Sequence, residues 1–301
     1  MALSPRPDGC PVCDSTRRSA VALENQLQVV RCGHCGHAYV WPVPSAAALS
    51  AIYAGEYYLG AHGSLGFRDY GGLAAARRRM FSRHLDRIER LRPVGRVLDV
   101  GCATGDFLMS ARARGWDPIG VDPSPAAAQA RAAGLPIRGK TIQDADLRPR
   151  SVDLVTFWDV LEHLPDPVAD LRRAGSLLGP GGMVALTVPD AGGAVARLSG
   201  RRWFGYKTAG EHLHFFTGST LSRALRAAGF DLVQRRPVAW SCSLGFLGDR
   251  AGLYLGLPGR LLNQALQTSL LAGVVVDVPM VNQFVLARPT AGPGLDLRRS
   301  A

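Results

Sequence analysis

The fold is decided by one stretch of the sequence, Val97-Leu98-Asp99-Val100-Gly101-Cys102-Ala103-Thr104-Gly105-Asp106-Phe107-Leu108. Its first four residues form a short apolar run, which is typical of a buried parallel strand. A Gly-x-x-x-Gly turn follows, and the residues from Asp106 onward open a helix. A strand that leads through a glycine turn into a helix is the nucleotide-binding unit of doubly wound folds. Because glycine has no Cβ, the backbone of the turn can approach a ligand closely. The stretch therefore predicts a Rossmann-like α/β sheet.

Carboxylates surround the predicted turn. Asp99 and Asp106 bracket it, and Asp122 closes the next predicted strand, about 20 residues further on, where such folds place an acid on ribose hydroxyls. Two anions a few ångströms apart repel strongly in a cleft of low dielectric constant. A ligand that carries an ammonium and a sulfonium but no phosphate suits these charges better than a dinucleotide. S-adenosylmethionine is such a ligand.

The stretch resembles motif I of the class I S-adenosylmethionine-dependent methyltransferases. The resemblance implies the seven-stranded sheet of that family and methyl transfer from bound S-adenosylmethionine. It also implies a set of cofactor-binding residues, namely Asp99, Gly101, Ala103, Gly105, Asp122, Pro123, Ile142, Trp158 and Asp159. In related methyltransferases the position of Ile142 holds the adenine ring. Trp158 and Asp159 follow the fourth predicted strand, so we expect them near the methyl-donating end of the cofactor.

Four cysteines near the N-terminus form two C-x2-C pairs, Cys10/Cys13 and Cys32/Cys35, with 18 residues between the pairs. Tetrahedral zinc takes four soft ligands at about 2.3 Å, and each C-x2-C turn delivers two thiolates to one side of the ion. Two disulfides are the alternative, which a reducing cytoplasm disfavours. Because four cysteines close the coordination sphere, we predict a small zinc ribbon over residues 1–42. Its ion is expected to support folding and to take no part in turnover.

The rest of the chain is predicted to form two further parts. Residues 43–92 are a linker and helical lid, with five aromatic residues among glycines in 45–70 and an amphipathic helix over 74–91. Residues 93–301 are the S-adenosylmethionine-binding domain. An apolar helical insertion at about 241–277 interrupts it. Its leucine-rich part, 244–276, predicts a packed helical cap; a substrate lid, a homodimer face and a membrane-surface helix are the alternatives.

Further short apolar runs predict the remaining strands of the sheet. They lie at 136–138, 152–157, 183–189, 230–233 and 280–287, and the last two are expected to be antiparallel. Thr217 is predicted to cap the helix that ends before Gly229.

Composition restricts the class of protein. The chain has 301 residues, a net charge of +11 and 47% hydrophobic residues. It has neither an apolar signal core nor an uncharged run of about 18 apolar residues, so we expect a cytoplasmic protein without a transmembrane segment. The densest basic run, Arg77-Arg78-Arg79, is predicted to be a solvated helix face.

The candidate catalytic segment reads Glu211-His212-Leu213-His214-Phe215-Phe216 and follows the fifth predicted strand. In methyl transfer from a sulfonium the protein mainly aligns the nucleophile. An alcohol or a carbon acid also needs a base near pH 7, and histidine fits that need. We therefore predict His212 as the base, with Glu211 orienting it or contacting a substrate hydroxyl. The alternative is that the histidines of this segment have only a packing role. For the earlier pair Glu162-His163, the alternative is a helix-forming role.

The ribbon, the cofactor motifs and the Glu-His segment together resemble sugar C-methyltransferases of deoxysugar biosynthesis over most of residues 10–230. The Glu-His segment also resembles quinone O-methyltransferases. The implied acceptor is a small molecule, such as a nucleotide sugar or a glycan precursor, methylated on carbon or oxygen. An RNA base methyltransferase is the alternative that the positive charge favours, although no aromatic residues interleave with the arginines as a stacking platform requires. A nicotinamide-dependent dehydrogenase is disfavoured by Ala103 and the carboxylates of the turn.

Overall fold

The structure is a computed structural model that describes residues 8–45, 47–49, 74–254 and 256–290. Most of the predicted lid, with its aromatic side chains, lies outside the described residues, which leave out Tyr53, Tyr57, Tyr58, Phe67 and Tyr70. A helix, α1, spans Ala74–Glu89, close to the predicted 74–91, and its assignment to a lid stays a prediction.

The larger sheet has the order β5-β4-β6-β7-β10-β9. Its strands are β4 (Arg96–Val100), β5 (Asp117–Val121), β6 (Val152–Trp158), β7 (Leu178–Pro189), β9 (Phe230–Ser243) and β10 (Val275–Pro289). The first four are parallel to one another, and β10 is antiparallel to both of its neighbours. The predicted third strand at 136–138 is reduced to one parallel bridge between Ile137 and Gly120, so the seventh place in the sheet holds a bridge instead of a strand. The α/β class is confirmed.

Helices cover both faces of this sheet. They are α2 (Asp106–Ala113), α3 (Ala127–Ala132), α4 (Pro167–Leu177), α5 (Ala194–Ser199) and α6 (Gly218–Ala227). Side chains of β4 alternate between two apolar cores, as strand geometry requires. Val97 joins the core formed with α1 and α2, whereas Leu98 joins the core formed with α4 and α6. Both strand residues are completely buried.

The smaller sheet is antiparallel and has the order β1-β2-β3-β8. Its strands are β1 (Arg18–Glu24), β2 (Leu27–Cys32), β3 (Ala38–Val40) and β8 (His214–Phe215). Asn25 and Gln26 both have positive φ, which is the geometry of a two-residue type I′ hairpin turn. The N-terminal ribbon therefore shares its sheet with a strand from the predicted catalytic segment.

The predicted insertion forms two helices, α7 (Leu244–Tyr254) and α8 (Gly256–Gln267), between β9 and β10. Several large apolar side chains of this region are exposed, namely Leu257, Leu261, Leu262, Leu270, Leu271 and Val274. Contact of this surface with a membrane or with a second copy stays a prediction. Among the described helices, none has the length and apolar character needed to span a bilayer.

Candidate active site

The turn after β4 is held by backbone hydrogen bonds. The amide of Gly101 donates to the carbonyl of Val121 over 2.9 Å, and the amide of Gly105 donates to the carbonyl of Cys102 over 2.8 Å. Gly101, Ala103 and Gly105 have φ values of 73°, 45° and 83°. An L side chain is strained in this region, so the turn stores strain at Ala103.

The two glycines of the turn are packed against protein atoms. A Cβ on Gly101 would lie 2.5 Å from Cγ2 of Val160, and a Cβ on Gly105 would lie 2.5 Å from Cδ1 of Leu135. These protein contacts are a reason for glycine at both positions, and the expected close approach to a ligand stays a prediction. The contact with Val160 also sets the turn directly against the segment that follows β6.

Two predicted cofactor-binding acids are buried beside the turn. Asp122 accepts 2.7 Å hydrogen bonds from the amides of Ala103 and Ser124, and Asp99 accepts a 2.6 Å hydrogen bond from the hydroxyl of Thr156. Burial raises the pKa of Asp99 well above its usual range, and the charge of Asp122 adds to this. Within the described residues, the partners of both carboxylates are amides and hydroxyls, with no cation among them. A cationic ligand fits this pair because it would stabilise the ionised carboxylates.

Asp106 does not contribute to that electrostatic environment. Its Oδ2 accepts a 2.8 Å hydrogen bond from Nε of Arg77, and Arg78 Nη1 lies 3.6 Å from its Oδ1. The expectation that Asp106 repels a diphosphate is wrong, because α1 neutralises this carboxylate. The prediction of a solvated arginine face is also wrong at Arg77, whose side chain is only 13% exposed.

Three other predicted cofactor-binding residues lie in different surroundings. Ile142 is buried in the core beside α4, and Pro123 is exposed. The ring of Trp158 lies in an aromatic cluster, 4.9 Å from the ring of His84 and 5.2 Å from that of Phe107. That cluster is on the sheet face covered by α1 and α2. The cofactor roles of these three residues stay predictions.

Asp159 turns the chain away from the end of β6. Its φ of 52° is left-handed, and its amide donates to the carbonyl of Thr187 over 3.1 Å. Asn282 of β10 donates from Nδ2 to Oδ1 of Asp159 over 2.7 Å. Burial raises the pKa of Asp159 to about 6, although the hydrogen bond with Thr187 opposes this shift. Sequence reasoning missed Asn282, since no local motif marks it.

The structure brings the predicted Glu-His pair next to Glu162 and His163. A 3-10 helix, Leu161–His163, carries this second pair. His163 Nδ1 donates to the carbonyl of Glu211 over 2.8 Å. The ring of His163 meets the ring of His212 edge-on, with centroids 4.6 Å apart. The four residues form a cluster, which we call the Glu-His cluster.

Burial keeps the Glu-His cluster close to electrical neutrality. It raises the pKa of Glu211 to about 7, although Arg250 opposes the shift. It raises the pKa of Glu162 well above its usual range, and among the described residues neither carboxyl oxygen of Glu162 has a hydrogen-bond partner. It lowers the pKa of His163 to about 4 and that of His212 well below 6.5. Glu211 therefore titrates near neutral pH.

Two groups of side chains have the spacing of metal ligands. One donor atom each from Glu162, His163 and His212 lies within 4.8 Å of the other two, a mixed set that suits a divalent transition metal. The sulfur atoms of Cys10, Cys13, Cys32 and Cys35 are also within 4.8 Å of one another. The Cys10–Cys35 and Cys13–Cys32 sulfur distances are both 3.6 Å. Four sulfur ligands in a tetrahedron with Zn–S bonds of about 2.3 Å are about 3.8 Å apart, which is close to these distances. All four thiols are free of disulfides.

Comparisons with known proteins agree with this geometry. Residues 73–235 match the family model of the methyltransferase domain. The ubiquinone biosynthesis O-methyltransferase of Cereibacter sphaeroides (strain ATCC 17025) is 33% identical over 167 residues, which cover 50% of this chain and 67% of that protein. The enzyme of the same name from Xanthomonas campestris pv. campestris (strain B100) is 40% identical over 104 residues, covering 32% of this chain and 43% of that protein.

Solved structures share the fold. A protein from Bacillus halodurans C-125, assigned as a methyltransferase, aligns with a TM-score of 0.51 and 18% identity over 69% of this chain and 98% of its own. The YcgJ protein of Bacillus subtilis aligns with a TM-score of 0.52 and 16% identity over 71% of this chain and 100% of its own.

A doubly wound sheet with buried acids at the first turn and a matching family model defines the class of protein. The chain belongs to the methyltransferase domain family. It is an S-adenosylmethionine-dependent methyltransferase, as the sequence predicts. The alternative of a nicotinamide-dependent dehydrogenase is wrong.

Proposed function

We propose that this methyltransferase transfers the methyl group to a hydroxyl oxygen of a small molecule, with Glu211 as the proton acceptor. The observation that carries the proposal is the Glu-His cluster, which adjoins Asp159 at the end of β6. S-adenosylmethionine supplies an electrophilic methyl group on a sulfonium. The residues of this chain align the acceptor oxygen, exclude water and take the proton that the hydroxyl loses.

Glu211 suits the role of base better than His212 does. A general base works best when its pKa lies near the operating pH, and that of Glu211 is about 7. His212 is unprotonated at neutral pH, but its lowered pKa makes it a weak base. In this proposal His212 and His163 shape the wall of the acceptor pocket, and the role of base moves from His212, where the sequence predicts it, to Glu211.

The acceptor that we favour is a phenolic hydroxyl. The support is the name of the relatives, ubiquinone biosynthesis O-methyltransferases, together with a base that titrates near pH 7. Carbon methylation of a nucleotide sugar or glycan precursor is the second candidate. It is favoured by the four-cysteine ribbon, whose β3 pairs with β8 directly after the Glu-His pair.

For the cofactor we propose that Asp99 and Asp122 face the cationic and ribose parts of S-adenosylmethionine around the turn from Gly101 to Gly105. Pro123, Ile142, Trp158 and Asp159 complete the predicted set. We further propose that Cys10, Cys13, Cys32 and Cys35 bind one structural zinc ion, with residues 1–42 as the zinc module. The support is that the four sulfur atoms lie within 4.8 Å of one another.

An RNA substrate has less support. The arginine run of α1, which we expected to face solvent, has two members that pair with Asp106. Nucleic acid is therefore not the partner that we propose, and the cytoplasmic location stays a prediction.

The test of the acceptor is transfer of labelled methyl groups to a panel of phenols, quinols and nucleotide sugars. We expect turnover with a phenol or quinol and an O-methyl product by NMR. The Glu211→Gln variant should bind S-adenosylmethionine normally and lose turnover. A carbon-methylated sugar as the sole product would overturn the proposal in favour of the second candidate.

A further inference from the structure

The ribbon and the Glu-His cluster are joined by two buried histidine rings. Nε2 of His37, which precedes β3, lies 3.2 Å from Nδ1 of His214 in β8. Nε2 of His214 lies 2.9 Å from the carbonyl oxygen of Leu164, the residue after His163. The two rings are stacked, with centroids 5.4 Å apart, and both are almost fully buried.

The direction of these hydrogen bonds follows from their chemistry. A carbonyl oxygen only accepts, so His214 carries its proton on Nε2. With its one proton on Nε2, the neutral ring of His214 presents Nδ1 as an acceptor. His37 is therefore the donor. A continuous chain of donors runs from His37 through His214 to the carbonyl of Leu164.

A second row of hydrogen bonds runs beside the first and consists of backbone groups. The amide of Val40 in β3 donates to the carbonyl of Leu213, and the amide of Leu213 donates to the carbonyl of Glu162, both over 2.8 Å. Leu213 lies between His212 and His214. The two rows thus fix the segment with Glu211 and His212 against the segment with Glu162 and His163.

We propose that His37 is a positioning residue for methyl transfer, which acts through His214 to hold the two halves of the Glu-His cluster in register. This inference rests on the proposed catalytic role of the cluster. His37 contacts no reacting atom in this scheme; its effect is on alignment, where displacement by about 1 Å can cost about 100-fold in rate.

The experiment compares three variants of the full chain. His37→Phe keeps a ring but removes the donor, His37→Gln restores a donor, and His34→Phe changes an exposed histidine of the same ribbon as the control. The readouts are kcat, KM for the acceptor, S-adenosylmethionine affinity by calorimetry, and the protonated nitrogen of His214 by ¹⁵N NMR.

We expect His37→Phe to lower kcat by about tenfold or more with S-adenosylmethionine affinity within about twofold of wild type. His37→Gln should recover most of the loss, and His34→Phe should match wild type. The NMR signature of an Nε2-protonated, Nδ1-accepting His214 should be present in wild type and His34→Phe and altered in His37→Phe.

Two results would overturn the inference: a folded His37→Phe variant with wild-type kcat, or equal losses in the Phe and Gln variants. The NMR readout needs no acceptor. If Glu211→Gln stays active while the His214 signature behaves as expected, the proposed function fails and the hydrogen-bond chain stands.

Discussion

Single residues at the ends of β4 and β6 carry backbone strain that the rest of the chain supports. Ala103 and Asp159 both have a positive φ, at 45° and 52°. Such conformations cost about 1–3 kcal/mol and concentrate at functional sites. Each is held by a defined partner, since Ala103 donates to Asp122 and Asp159 accepts from Asn282.

Gly101→Ala tests the packing of the turn. The new methyl group would meet Val160 in a left-handed backbone, so we expect a loss of about 2–4 kcal/mol in the free energy of unfolding. Gly115→Ala is the matched control, because it has the same sign of φ but open space around the Cβ. Urea denaturation measures both. The double variant Gly101→Ala/Val160→Ala should recover part of the loss, and equal costs for the two single variants would contradict the clash.

The pH dependence of turnover tests Glu211. Because the base must be ionised, kcat/KM should rise with pH through about 7 and then level off. Glu211→Gln should abolish this limb and lower kcat by about 100-fold or more. Asp170→Asn is the control, since burial also raises the pKa of Asp170, to about 6, and Asp170 lies in α4, outside the Glu-His cluster. If Asp170→Asn shifted the pH profile and Glu211→Gln left it unchanged, the rise of kcat/KM with pH would be due to a group other than Glu211.

The titration of Glu211 also makes the free energy of unfolding depend on pH. The folded pKa of Glu211 lies above its usual 4.5, so the folded state holds the proton to higher pH than the unfolded state does. The contribution to the free energy of unfolding is therefore largest below pH 4.5. It declines between pH 4.5 and about 7, where both states have lost the proton.

Residue identities near the turn are predictable from the sequence, but their partners are not. The pattern around Asp99, Gly101 and Asp122 is local and marks the cofactor turn. The ion pair between Arg77 and Asp106 joins α1 to α2 across 29 positions of the chain, and no spacing rule reports it. The sequence-based argument about charge therefore treated the carboxylate of Asp106 as unpaired.

At the scale of elements, periodicity and capping residues predict well. Phe81, Leu85 and Ile88 recur at helical spacing and form the buried face of α1. The edge element at 136–138 is where the pattern fails, because a three-residue apolar run does not specify whether a full strand or one bridge forms.

The N-terminus of α6 offers a clean test of capping. Thr217 Oγ1 accepts from the amide of Thr220 over 3.2 Å, and Thr220 Oγ1 accepts from the amide of Thr217 over 2.9 Å. Thr217→Ala should lower the free energy of unfolding by about 1 kcal/mol. Thr217→Ser keeps the hydroxyl and should remain within about 0.5 kcal/mol of wild type, as judged by urea midpoints. Equal losses would show that the methyl group matters and the cap does not.

The ribbon is tested by metal content. Purified protein should contain one zinc per chain by mass spectrometry, and Cys13→Ser should lose it and melt at a lower temperature. Cys242→Ser is the control, because Cys242 lies in β9, away from the four-cysteine group. Full zinc content in Cys13→Ser would remove that residue from the site.

At the scale of the whole molecule, the unexpected feature is that the N-terminal ribbon shares its sheet with β8 of the predicted catalytic segment. Tyr39 pairs with His214, so residues 175 positions apart are neighbours in one antiparallel sheet. Sequence patterns identify the ribbon and the Glu-His segment separately. Their pairing depends on the closure of the whole chain, which local periodicity does not encode.

Hydrogen exchange should show this connection. Chelation of the ribbon metal is expected to deprotect the amides of Val40 and Leu213 together, because both belong to the row that links β3 to the Glu-His cluster. The amide of Leu98 in the centre of the larger sheet should stay protected. If Leu213 kept its protection while Val40 lost it, the two sheets would open independently.

The outer strand of the larger sheet has a consequence for behaviour at high concentration. β9 borders the described sheet, and its middle carries Arg235, Arg236 and then Pro237, all exposed. Positive charges repel a second molecule in the same orientation, and proline offers no amide hydrogen to an incoming strand. The border of the sheet is thus a poor template for the edge-to-edge stacking that seeds fibrils, so β9 can form the edge of the sheet without nucleating aggregates.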